Sequence, residues 1–354
     1  MIRAKDLGYR WPAEWSGHDA VWTAWPHLAH EWACGLEGPR TSLAAMIAAI
    51  VDLDPATGTP RGERVDLLVT GAEAEADVRA RIGAAAAGVR FHRAHYGDVW
   101  LRDTGPVFVD GAAGLAAACF EWDGWGGKYL MPGDDGVSVW VAGAAGAPAW
   151  RQGFVLEGGA IEGDGEGTVL TTRQCLLGGN RNVGRGLDEA AMTELLRASL
   201  GVERAIWLDD GLANDHTDGH IDTLARFVAP GVVVAMAPAE GDPNRDALAR
   251  IIAALRAATD ARGRRLEVVT VPSPGAVLDD DGGLMPASYM NFYVGNSTVV
   301  VPTYRAAADD AAVAALAPLF PGRRVVGVDC WPVLVGGGGF HCTTQQQPTP
   351  SRTP

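Results

Sequence analysis

The segment Arg102-Asp103-Thr104-Gly105-Pro106-Val107-Phe108-Val109 places two charged residues and a glycine–proline turn directly ahead of a short β-branched and aromatic run. Such runs favour extended backbone, and Gly-Pro punctuates the chain before them. The same order returns as Glu157-Gly158-Gly159 before Ala160-Ile161, and as His220-Ile221-Asp222 before Leu224-Ala225-Arg226-Phe227. It recurs as Asn291 before Phe292-Tyr293-Val294 and closes on the glycines 336–339 before His341-Cys342. Markers at 103, 157, 220, 291 and 342 stand about 60 residues apart, a spacing typical of repeat architectures. A repeat whose polar residue always leads a strand is what radial repetition produces, each unit delivering one side chain to a shared centre. The competing reading is an ordinary α/β chain whose glycine turns recur at loose spacing.

Helix signals appear at 41–50, 73–87, 187–200, 246–258 and 309–319, and strand signals at 65–70, 107–109, 168–172, 232–236, 268–271, 298–302 and 325–328. Their alternation predicts an α/β or α+β fold. No Pro/Gly/Ser linker divides the chain, so one closed domain over 1–348 with a short tail at 349–354 is expected.

Of the 354 residues, 47% are hydrophobic, enough for a sizeable core and too many for a disordered chain. The net charge of −14 repels phosphate backbones, so nucleic acid is not expected as a partner and small cations are favoured. No apolar run approaches the roughly 18 residues of a membrane span, and no signal peptide opens the chain. Five scattered cysteines form no CxxC pair, which fits a reducing compartment; a cytoplasmic location without membrane partners is expected. Assembly into a homo-oligomer is left open.

Two motifs carry chemistry. Cys342 follows four glycines, which permit positive φ or the close approach of a ligand, so it is a candidate nucleophile. His220 and Asp222, at i and i+2, would face one side of a strand, giving a proton shuttle beside a carboxylate. A metal reading with His216, His220 and Asp222 competes, but Gly219 and Ile221 argue against a helix and no HExxH glutamate is present. Asp103 beside Arg102, and Glu157 in its turn, would each alone be read as structural. Together, a thiol, an imidazole and three carboxylates suit a guanidinium: carboxylates hold its N–H donors, and a thiolate attacks its resonance-stabilised carbon.

These pieces resemble the agmatine deiminase family of the guanidine-modifying superfamily. The resemblance rests on Pro12-Ala13-Glu14-Trp15 with Trp22-Thr23-Ala24-Trp25-Pro26, the 102–106 segment, Phe120 followed by Trp125-Gly126-Gly127-Lys128-Tyr129, and Leu156-Glu157-Gly158-Gly159. Thr217-Asp218-Gly219-His220-Ile221-Asp222, Ser288-Tyr289-Met290-Asn291-Phe292 and the glycine-led Phe340-His341-Cys342-Thr343-Thr344-Gln345-Gln346 complete it. It implies a five-bladed, pseudosymmetric α/β propeller of ββαβ repeats around a central active site, and hydrolytic deimination of a small cationic guanidine without metal or organic cofactor. It further implies Cys342 as nucleophile, His220 as general acid–base, Asp103 and Asp222 as the guanidinium clamp, and Glu157 as the acid that positions the histidine. Trp100 would line the channel, and Gly338 and Gly339 would let the substrate approach. The family commonly carries an acid where this chain has His216, facing the substrate's distal amine; Asp215 or Asp218 would have to compensate. Agmatine is the expected substrate. Arginine, a C-terminal peptidyl arginine or a small alkylguanidine are the alternatives, and a guanidine-binding propeller without catalysis is a further one.

Overall fold

The computed structural model describes residues 3–351; residues 352–354 of the expected tail lie outside them. The chain is mixed α/β and contains five sheets that share one pairing scheme. A leading strand pairs antiparallel with the next, and a crossover then lays a third strand parallel to the second. Ala225–Ala229, Val232–Met236 and Glu267–Val271 illustrate it: Pro230-Gly231 turns the hairpin, and the helix Arg245–Ala257 makes the crossover. Antiparallel neighbours need only a tight turn, whereas a parallel return needs a crossover of a dozen residues or more.

The scheme repeats in Val107–Gly111, Gly114–Glu121 and Ala149–Val155, and in Glu162–Gly163, Thr168–Thr172 and Arg204–Leu208. It returns in Tyr293–Val294, Thr298–Thr303 and Arg324–Asp329. Their crossovers carry the helices Asp134–Ala144, Glu189–Leu200 and Asp309–Leu316. The fifth sheet of this scheme is assembled from both ends of the chain, and a separate two-stranded hairpin pairs Val277–Leu278 with Leu284–Met285. Gln345–Pro348 pairs antiparallel with His18–Ala24, Trp22 lying opposite Gln345. The helix Glu37–Val51 then leads to the parallel strand Arg64–Val69, and Val89–Arg93 extends the sheet by one strand.

The helices and strands expected at the ranges given above are present, although 309–319 is α-helical only over Asp309–Leu316 and ends in a 3₁₀ turn. The 73–87 segment divides into the α-helix Ala72–Ile82 and a 3₁₀ stretch Gly83–Gly88. Burial explains the pattern. Arg245–Ala257 buries Leu248, Ile251, Ile252 and Leu255, one stripe at i, i+3, i+4 and i+7, each side chain worth about 1.5–3 kcal/mol. Asp188 caps Glu189–Leu200 by accepting from the Ala191 amide at 2.8 Å.

Each of the five polar markers stands in the turn that feeds a leading strand. Asp103 lies in the helical turn Leu101–Thr104, Glu157 precedes Gly158–Ala160, and His220 precedes Ile221–Thr223. Asn291 and Cys342 immediately precede the strands Tyr293–Val294 and Gln345–Pro348. The strand expected to carry His220 and Asp222 is therefore not one: His220 is the lead-in to a 3₁₀ turn that contains Asp222, and the strand begins only at Ala225. Among the described residues, no helix is long and apolar enough to cross a membrane.

Candidate active site

The five turns bring their side chains together in a buried cluster. A Cβ added to Gly159 would lie 2.5 Å from His220 Nδ1, 3.0 Å from Asp103 Oδ1 and 3.1 Å from Asp222 Oδ2, so only glycine permits this convergence. Cys342 Sγ lies 3.6 Å from Asp222 Oδ2 and accepts from Asn291 Nδ2 at 3.1 Å. The Asn291 carboxamide also accepts from the Cys342 amide, and the Cys342 carbonyl receives the Arg102 amide at 3.0 Å, which pins the backbone.

His220 is fully buried, with Nδ1 3.9 Å from Asp103 and Nε2 3.9 Å from Glu157, ion-pair contacts longer than hydrogen bonds. Neither ring nitrogen, nor Asp222 Oδ1, has a hydrogen-bond partner among the described residues. Burial disfavours the imidazolium, but Asp103, Glu157 and the neighbouring Cys175 outweigh it and hold the His220 pKa well above its ordinary value. Glu157 is pulled below its usual range: burial opposes ionisation, but His220 and Arg181 prevail, the latter donating at 2.8 Å. Asp103 goes the other way, because burial and the repulsion of Asp222 and Glu157 exceed the attraction of His220. Its oxygens accept from the Gly159 amide and the Trp125 indole, both at 2.9 Å. Burial, then Asp222 and Asp103, push the Cys342 thiol well up, so in the resting pocket the sulfur carries its proton.

A cavity of about 210 Å³ opens from Cys342 and Asp103 between Trp100, Trp125, Tyr129 and His216. Trp100, expected to line the channel, is both buried and pocket-lining. His216 lies at the mouth and stacks on Tyr129. Asp215 does not compensate for it, since its carboxylate is consumed capping Thr217 and Gly219. Nor does Asp218, which pairs with Lys128 and Arg181 and accepts a hydrogen bond from Asn180. Besides Asp103, the acids that line the cavity are Glu31, partly exposed, and Asp98, buried. Burial and the nearby Asp134 charge push Asp98 up to about 7, against its hydrogen bonds from the Val99 amide and the Trp100 indole.

Of the four glycines before Cys342, only Gly337 has positive φ, +115°. Gly338 and Gly339 are required by close packing instead: a Cβ would stand 2.7 Å from Trp100 and 2.5 Å from Asn291, respectively. Arg102 does not pair with Asp103; it turns inward to Gln345 and towards Glu14. The competing metal set is not assembled, for the three-ligand clusters among the described residues are Glu157–Cys175–His220 and Glu14–Glu162–His341. Sequence reasoning assigned no role to Asn291, Trp125, Arg181 or His341. Asn291 carried a signal as one of the five repeat markers, Trp125 and His341 fell within motifs of the family resemblance, and Arg181 carried none.

Residues 10–348 match the family model of the Porphyromonas-type peptidyl-arginine deiminases. The chain is 36% identical to the agmatine deiminase of Stutzerimonas stutzeri, covering 97% of this chain and 96% of that one. It is 35% identical to the agmatine deiminase of Pseudomonas aeruginosa, with 98% and 97% covered. The structure of the agmatine deiminase of Enterococcus faecalis superimposes with a TM-score of 0.89 at 29% identity, covering 99% of this chain and 98% of the other. A buried thiol, imidazole and carboxylate trio at the inner end of the cavity, on a chain matched nearly end to end, places this protein in the agmatine deiminase and Porphyromonas-type peptidyl-arginine deiminase family.

Proposed function

We propose that this protein hydrolyses agmatine to N-carbamoylputrescine and ammonia, with Cys342 as nucleophile, His220 as acid–base, Asp103 and Asp222 as the guanidinium clamp and Glu157 as the orienting acid. The observation that carries it is the buried Asp222 Oδ1 beside Cys342, a carboxylate acceptor that no donor among the described residues reaches. Buried polar groups without partners are costly, and they are tolerated where a ligand completes them. A planar cation with N–H groups at each edge satisfies the carboxylates.

The cation's arrival offsets the charge of Asp222 and Asp103, which lowers the barrier to losing the thiol proton to solvent. The thiolate then forms a C–S bond to the guanidinium carbon, giving a neutral tetrahedral adduct. His220 donates its proton to the departing nitrogen, the C–N bond breaks, and ammonia leaves a thiouronium cation. The imidazole, now neutral, takes a proton from water as the water oxygen bonds to the same carbon. Collapse breaks the C–S bond, and the hydroxyl proton passes to sulfur as the ureido product leaves. The proton released at the start joins ammonia in solution, so the balance closes. Glu157, held by Arg181, keeps the imidazole oriented and charged.

At the far end, Glu31 and Asp98 serve the substrate's ammonium in place of an acid at position 216. A second reading, deimination of a shorter or tail-less alkylguanidine, is favoured by His216 at that mouth. Ammonia release with matching ureido product, compared as kcat/KM across guanidines of different tail length and charge, separates the two. Agmatine inert beside a reactive alkylguanidine would overturn the first.

The five like-paired sheets, with the carboxyl-terminal strand completing the amino-terminal one, support a five-bladed α/β propeller spanning 1–348 as one domain, with 349–354 as its tail. All five cysteines are unpaired, which supports a cytoplasmic setting.

A further inference from the structure

His341, the residue before the thiol, sits outside the reaction scheme above, yet it is buried between two acids. Its Nδ1 lies 2.7 Å from Asp222 Oδ2 and its Nε2 2.8 Å from Glu14 Oε2. Ionised carboxylates only accept hydrogen bonds, and a neutral imidazole has a single N–H. Both contacts are hydrogen bonds only if one further proton is present, on the ring or on an acid. Glu14 is a poor place for it: Oε2 also receives Arg226 at 2.7 Å, Oε1 receives the Val294 amide at 2.8 Å, and Arg102 stands 3.6 Å away. Asp222 offers its other oxygen to the pocket.

Charge counting leads to the same site for the proton. The groups around His341 are Glu14, Asp222, Glu162, Arg226 and Arg102, all buried. Arg226 bridges Glu14 and Glu162, at 2.7 and 2.9 Å. His220 also faces Asp222, but its charge is matched by Asp103, as Arg181 matches Glu157. Glu162, though burial raises its pKa, accepts at both oxygens from Arg226 and the Phe227 amide. With a charged His341 ring the remaining three cations and three anions cancel; with a neutral ring one buried negative charge is left over. Uncompensated buried charge is expensive.

We propose that His341 is a positioning residue for the deimination, an imidazolium wedged between Glu14 and Asp222 that keeps Asp222 ionised with one oxygen turned to the substrate. The inference rests on the proposed function of this site. Burial alone would keep Asp222 protonated, and the His341 hydrogen bond is the largest influence against it. The ring is not needed to place the sulfur, because Asn291 and Arg102 hold the Cys342 backbone directly. It acts on the charge beside the sulfur.

The test uses the full chain with His341→Gln, which keeps an amide donor but removes the charge. Agmatine binding is measured by calorimetry from about pH 5 to about pH 9 in the Cys342→Ala protein, with and without the second substitution. Binding in the double variant is expected to weaken at least tenfold at the acidic end, with the deficit shrinking as pH rises and Asp222 ionises unaided. In the single His341→Gln protein at the acidic end, where Asp222 is protonated, iodoacetamide should alkylate Cys342 faster than in wild type at the same pH, since less negative charge opposes the thiolate. A deficit equal at every pH, or no deficit, overturns the proposal, as does unchanged alkylation.

Should the variant fail to fold, nitrogen-15 spectra of the wild-type histidines decide. The pair His341-Cys342 is the sole His–Cys dipeptide in the sequence, so selective labelling assigns the ring. Both of its nitrogens should remain protonated at neutral pH, and a ring carrying one proton there refutes the idea. This readout needs no turnover: absent agmatine deimination with a doubly protonated His341 would sink the functional reading and leave the wedge standing.

Discussion

Two buried charge clusters lie back to back in this molecule, built from the same residue types and put to opposite uses. In one, Glu14, Glu162, Arg226 and His341 satisfy each other, and the Arg226 guanidinium also donates to the carbonyls of Met290 and Phe292. In the other, His220 stands within ion-pair range of Asp103 and Glu157, yet hydrogen-bonding atoms of His220 and Asp222 go unused. The closed cluster holds a protein guanidinium; the open one presents similar acids to the cavity. Residue type and burial do not distinguish scaffold from site. Completion of the hydrogen bonds does.

The largest effect that sharpens this contrast is on turnover. Cys342→Ala should lower agmatine turnover by about a thousandfold or more while leaving ligand binding nearly intact. Undiminished ammonia release would remove Cys342 as nucleophile.

The next contrasts the stability of the two clusters. Arg226→Met strands Glu14 and Glu162 and should cost about 3–5 kcal/mol. Asp103→Asn removes a carboxylate already disfavoured by its neighbours and should leave stability within about 1 kcal/mol of wild type while activity falls. Denaturant unfolding of both variants checks this, and equal losses would erase the distinction.

Along the cavity, Glu31→Gln should raise KM for agmatine by about two- to fivefold, the range expected for a partly solvated charge pair, and Asp98→Asn, buried in the cavity wall, by more, while both spare a tail-less alkylguanidine. Because Asp98 titrates near 7, wild-type KM for agmatine should fall as pH rises through that value. A flat profile would take Asp98 out of recognition.

The smallest effect is on stability against pH. His220 has its folded-state pKa raised, so its charged form adds stability that is full below the unfolded value near 6.5 and fades as pH climbs through the higher folded one. His220→Gln should flatten the melting temperature across that alkaline range relative to wild type.

Much of this was legible in the chain itself. The β-branched runs 232–236 and 298–302 announced strands because both faces of a crossover strand are buried. The strand Gly114–Glu121 was hidden, since its alanines have little strand preference. Gln345–Pro348 was hidden more deeply. Its three glutamines are buried without any apolar signal, and its partner His18–Ala24 lies at the opposite end of the sequence.

Composition and spacing alone pointed to an α/β chain with five polar turns about 60 residues apart, and to the thiol, imidazole and acids among them, because those choices are local. Folding alone decided that the turns meet at Gly159, that Asp215 and Asp218 are spent on loop contacts while Glu31 and Asp98 face the cavity, and that His341 falls between two acids. A side chain's protonation and availability depend on every charge packed around it, and those neighbours come from the far ends of the chain.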